Sequence, residues 1–151
     1  MGLLGFVGKR LYMQSIKFGL AGVGLSIIAL RNEEAWMELE EKKCVSCEGM
    51  QGPLAQEEIN DMLRQTPGWE FEGNSIDRTF GFPNFVEAMK FANRITVIAE
   101  EQNHHPDLHI SWGKVRVELS THSVGGLSTN DFIVAAKINR LWNEREHEQA
   151  I

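Results

Sequence analysis

Two different rhythms of apolar and polar positions run along the chain beyond about Pro53. Between Gln56 and Leu63, the apolar residues Ile59, Met62 and Leu63 fall at helical spacing, with Pro53 near the start. Thr66-Pro67-Gly68 stops that helix. Trp69 to Phe71 and Ser75 to Phe82 read as strands joined through a Gly73-Asn74 turn. From Asn84 to about Gln102, Phe85, Ala88, Met89, Ala92, Ile95 and Ala99 form one apolar stripe of a long helix, which Pro106 ends. Leu108 to Trp112 and Lys114 to Thr121 follow as strands about Gly113. In the second of these, Val115, Val117 and Leu119 alternate with Arg116, Glu118 and Ser120, so one face is buried and the other polar. After Gly125-Gly126, Ser128 can cap a last helix over about Thr129 to Glu148, with Asp131 completing a box-like start. Short strands interleaved with helices predict an α+β fold: a four-stranded antiparallel sheet with helices packed on one face.

The first third of the chain follows neither rhythm. Residues 1–31 contain Lys9, Arg10, Lys17 and Arg31 but no acid, around an uncharged run from Phe18 to Leu30. That run is shorter than the roughly 18 apolar residues that read as a membrane span. Basic, acid-free and apolar is the composition of an organelle presequence, and mitochondrial import is the expected destination. Plastid, secretory, membrane-anchored and cytoplasmic readings are the alternatives. Gly2 does not make a myristoylation motif, because position 6 is Phe. Residues 32–52 read as an acidic linker holding Cys44-Val45-Ser46-Cys47, and 53–148 as the folded domain. A lone CxxC without a second pair or a strand-to-helix context reads as two reduced thiols at the domain's edge.

Composition narrows the function. With 151 residues there is room for one domain and a leader. A net charge of -6 argues against a nucleic-acid partner, since such proteins gather Lys and Arg against phosphate. Two cysteines build neither a disulfide framework nor a four-thiolate zinc site.

The chemistry concentrates in one stretch. Four of the five histidines, His104, His105, His109 and His122, fall within it. Imidazole titrates near neutrality, so two imidazoles on opposite sides of a substrate can protonate a leaving hydroxyl and deprotonate a neighbouring nitrogen. A zinc triad of His104, His109 and His122, with Asp107 or Asp131, is the alternative. A serine nucleophile is the weaker reading: Ser120, Thr121 and Ser123 flank His122 without a Gly-x-Ser-x-Gly elbow.

The segment from Glu100 through His104-His105-Pro106 to Trp112, followed by His122 and Asp131, resembles the signature of the pterin-4a-carbinolamine dehydratases. The resemblance covers about Pro53 to Asn143, and the stretch Asn130 to Asn139 is similar to the plant-like branch. Family members commonly carry a Ser or Thr cap where this chain has Ala55. What the resemblance implies is a metal-independent hydro-lyase with no cofactor. It would convert 4a-hydroxytetrahydropterin to quinonoid dihydropterin and water in tetrahydrobiopterin recycling. It further implies His104 and His122 as the acid/base pair, with His105 orienting the pterin. Asn103, Pro106, Ser120, Thr121 and Ser123 would border the substrate, and Asp131 would support a histidine, with a helix-start role as its alternative. Trp112 is expected to pack. A homodimer or homotetramer is implied, with no nucleic acid and no stable membrane association of the catalytic domain. The rival on the same fold is a non-catalytic binding or assembly protein. Relatives of that kind tend to lose the histidines that this chain keeps.

Overall fold

The computed structural model describes residues 39–47 and 52–149, with side chains through 145. The expected leader, 1–31, lies outside the described residues. The elements are α1 (Gln56–Gln65), β1 (Glu70–Glu72), β2 (Ser75–Gly81), α2 (Phe85–Gln102), β3 (Asp107–Ser111), β4 (Lys114–Leu119), a 3-10 turn (His122–Val124) and α3 (Thr129–Gln149). The four strands form one antiparallel sheet in the order β1-β2-β4-β3. This is the expected α+β architecture.

The alternation in β4 decides which face is covered. Val115, Val117 and Leu119 are fully buried under the helices, while Arg116 and Glu118 point to the open face. Their neighbours on β2 follow the same pleat: Ile76 and Phe80 face the core, and Asp77 pairs with Arg116 outside. Phe80 then stacks with Phe91 of α2 and Trp142 of α3, at centroid distances of 4.9 and 5.1 Å. Such tilted aromatic packing adds to the area that the rings bury. Gly113 at the β3–β4 corner is required by close approach, since an added Cβ would lie 2.8 Å from the Phe82 carbonyl oxygen.

The stripe on α2 keeps the expected register at Ala88, Ala92, Ile95 and Ala99 and differs at its N-terminal end. Ala88, Phe91, Ala92, Ile95 and Ala99 are its buried residues, whereas Phe85 is 48% exposed. Phe85 is the first residue of the helix, and its side chain stays outside the core. Pro106 is also not what ends this helix. Asn103 adopts a left-handed conformation (φ 48°), and the N–H groups of Asn103 and His104 return to Ala99 and Glu100. That is a Schellman-type stop, and it turns the chain inward at His104. At α1, Ala55 supplies no side-chain cap. Glu58 compensates in part by accepting the Ala55 N–H at 2.8 Å.

Residues 39–47, within the stretch read as a linker, pack against the domain. Leu39 is 2% exposed and belongs to the core. Lys137 Nζ donates to the Glu40 carbonyl at 2.6 Å, and Arg140 reaches the Glu40 carboxylate. Burial of its neighbourhood and the nearby Arg140 lower the Lys137 pKa. The glutamates mark this stretch as a linker, but Leu39 together with the contacts of Glu40 docks the arm. Among the described residues no helix is long and apolar enough to cross a membrane.

Candidate active site

Three chain segments meet at one end of the sheet: the turn after α2, the end of β4 with its 3-10 turn, and the start of α3. The first two, with Cys47 of the arm, bound a cavity of about 260 Å³ lined by Asn103, His104, His105, Asp107, Ser120, Thr121, His122, Ser123 and Cys47. The loop between β4 and α3 is closed by a bridge in which the Thr121 N–H donates to the Gly126 carbonyl at 2.8 Å. Gly125 makes that closure possible by adopting φ 70°.

His104 is buried, and its Nε2 lies 2.7 Å from Asp131 Oδ1. Asp131 is fully buried at the first turn of α3. Its other oxygen accepts the Ser128 N–H at 2.7 Å and the Thr121 hydroxyl at 2.8 Å. Ser128 Oγ also lies 2.8 Å from Thr121 Oγ1 and accepts the Asn130 N–H at 3.2 Å. Each hydroxyl has one hydrogen, so the directions follow. Thr121 donates to Asp131, and Ser128 therefore donates to Thr121. The carboxylate accepts from every partner, so Nε2 of His104 carries a hydrogen, and in the neutral ring Nδ1 is then the acceptor. Asp131 thus fills both roles open to it, histidine support and helix start. A buried carboxylate needs this full set of donors, because desolvation penalises an unpaired charge.

The other expected residues separate by position. His122 Nδ1 lies 3.1 Å from the Ser120 hydroxyl at the cavity wall. His105 is exposed on the rim, 3.1 Å from Glu100. Asn103, Ser120, Thr121 and Ser123 line the cavity, although the Thr121 hydroxyl is engaged with Asp131. Pro106 is not among the lining residues. His109 is on β3, facing Glu118 at 3.8 Å on the open side of the sheet. The triad His104, His109 and His122 is therefore not gathered. No group of three or more His, Cys, Asp or Glu among the described residues has metal-binding geometry. Trp112 does not pack; it is 71% exposed at the hairpin tip.

Two wall residues, Cys47 and Asp107, escaped the sequence reading as substrate contacts. Asp107 abuts His104-His105-Pro106 in the chain, which was a usable signal. Cys47 had none, because its position depends on an arm that folds back across the domain.

The comparisons with known proteins fall on the same region. A family model described as pterin 4 alpha carbinolamine dehydratase matches residues 52–141. A Rubrobacter xylanophilus protein is 48% identical over 105 residues, covering 69% of this chain and 98% of its own length. A Rickettsia canadensis protein is 49% identical over 102 residues, covering 66% and 94%. Both are named, provisionally, as pterin-4-alpha-carbinolamine dehydratases. Among solved structures, a transcriptional coactivator/pterin dehydratase from Brucella melitensis superposes with a TM-score of 0.57 at 34% identity. It covers 60% of this chain and 98% of that one. The matched residues contain the whole cavity wall except Cys47, and on that agreement the chain belongs to the pterin 4 alpha carbinolamine dehydratase family.

Proposed function

We propose that the chain dehydrates a 4a-hydroxytetrahydropterin to the quinonoid dihydropterin, using His104 and His122 as base and acid. The observation that carries this reading is two imidazoles from separate elements lining one cavity, one of them anchored by a buried carboxylate. In the substrate, a hydroxyl-bearing carbon adjoins a ring nitrogen. The C–O bond breaks as the nitrogen electron pair forms a C=N bond. An acid must protonate the departing hydroxyl, and a base must take the nitrogen's proton. The Asp131 contact leaves His104 with an accepting Nδ1, which supports it as the base. His122, beside the Ser120 hydroxyl, is then the acid, and His105 on the rim orients the pterin. A carbinolamine loses water readily, so proton transfer by positioned side chains meets the need, and no step requires a metal. In tetrahydrobiopterin recycling, the substrate would come from pterin-dependent hydroxylases. Assembly into a homodimer or homotetramer belongs to the same reading, supported by exposed Phe85, Val86 and Val97 on α2.

The test is the dehydration rate of 4a-hydroxytetrahydropterin generated in situ. His104→Ala and His122→Ala should each lower it by about 10²- to 10⁴-fold, the usual worth of a general acid or base. Wild-type rates in both variants would overturn the assignment.

A further inference from the structure

A second cavity, of about 330 Å³, adjoins the first and is lined by Cys44, Val45, Ser46, Cys47, Gln102 and Asn103. Cys47 and Asn103 line both cavities, so the two lie side by side along one wall. Its outer wall is the arm carrying the CxxC, which is pinned in place by specific contacts. The Asn130 side chain pairs with the backbone of Val45 in both directions, accepting the Val45 N–H at 3.1 Å and donating to the Val45 carbonyl at 2.8 Å. The Cys44 N–H donates to Gln102 Oε1 at 3.1 Å. Asn130 Nδ2 is 3.7 Å from the Cys47 sulfur, and the Cys44 thiol donates to the Asn130 carbonyl at 3.7 Å. Asn130 precedes Asp131, so one turn of α3 holds both the arm and the buried histidine.

We propose that the lobe between the arm and the end of α2 is a subsite for a short hydroxylated substituent on the pterin ring, with the CxxC arm as its wall. The inference rests on the dehydratase reading and adds substrate selectivity to it. The histidine lobe suits a flat heterocycle undergoing proton transfer. The second lobe offers the Gln102 and Asn103 side-chain amides and the Cys47 thiol, which are partners for hydroxyl groups rather than for a bare methyl. A pterin carrying a dihydroxypropyl chain would fill both lobes, and a methyl-substituted pterin only the first. Both cysteines are free thiols. Burial pushes Cys44 up to about 12, so it stays protonated at neutral pH, and Cys47 is the thiol that faces the substrate.

The test compares 4a-hydroxytetrahydropterins with a methyl or a dihydroxypropyl group at ring position 6. Ser46 lines only the second lobe, so Ser46→Trp should fill it. The expected result is a KM about tenfold higher for the dihydroxypropyl substrate, with the methyl substrate and both kcat values little changed. Equal losses for both substrates, or no change for either, would overturn the subsite. A second measurement needs neither activity nor that variant. In Cys44→Ser protein, where Cys47 is the remaining cysteine, 6-dihydroxypropyl-7,8-dihydropterin should slow alkylation by iodoacetamide about tenfold, and the 6-methyl analogue much less. Equal protection by the two, or none, would also overturn the subsite. If wild-type protein accelerates neither substrate, the dehydratase reading itself falls, while the alkylation result still decides whether the lobe takes the side chain.

Discussion

The two faces of the sheet carry similar polar groups under opposite conditions. On the open face, Arg116 holds Asp77 at 2.9 Å, Glu118 at 3.3 Å and Glu72 at 3.4 Å, with His109 nearby. The hydrogen bond to Asp77, with that residue's charge, raises the Arg116 pKa above its ordinary value. Beside the covered face, Asp131 holds His104, Thr121 and the Ser128 backbone out of water. The open cluster has more charges, and solvent replaces any contact that it loses. The buried network has one carboxylate, and nothing replaces a missing donor. Charge count is therefore a poor guide to where polar chemistry matters; burial is the better one.

The sharpest way to break this comparison is Asp131→Ala. It leaves three buried donors, on His104, Thr121 and the Ser128 N–H, without an acceptor, and at about 1–3 kcal/mol each should cost at least about 3 kcal/mol of unfolding free energy in urea denaturation. A loss near zero would mean that water enters the site and that the two faces are alike. Asp131→Asn separates folding from catalysis. The amide can donate where the carboxylate only accepts, which favours the other His104 tautomer and removes the acceptor at Nδ1. Under the proposed function, kcat should fall at least about a hundredfold while the far-ultraviolet spectrum is retained. Thr121→Val keeps the shape of the side chain and deletes one donor. It should cost about 1–3 kcal/mol by the same denaturation measurement. The smallest effect belongs to the open face: Arg116→Ala should leave both the unfolding midpoint and the dehydration rate close to those of the unaltered protein. A large loss there would show that a partner covers that face.

Periodicity carried the order of elements because it reflects which side of each element meets the core. Alternation through Val115, Val117 and Leu119 placed β4 and its two faces correctly. Element ends were less legible: the sequence offers Phe85 and Phe91 as equally apolar, and only the packing of Phe91 against Phe80 and Phe82 distinguishes them. The stop of α2 is hidden from the sequence for a related reason. Pro106 is a visible breaker, whereas the left-handed turn at Asn103 appears only once the backbone is folded. Trp112 shows the converse, a large apolar residue that the core does not take.

What the sequence determined alone was the set of chemical parts: the imidazoles of His104 and His122, an acid at 131, and the helices and strands to carry them. Those follow from residue type and local spacing, which are properties of short stretches. Tertiary structure decided which parts share a cavity. It sent His109 to the far face, put Asp131 behind His104, and brought Cys47 to the wall across 58 positions of chain from Cys44 to Gln102. Convergence of that kind depends on long-range packing, above all on Leu39 and Asn130 docking the arm, and no local pattern encodes it.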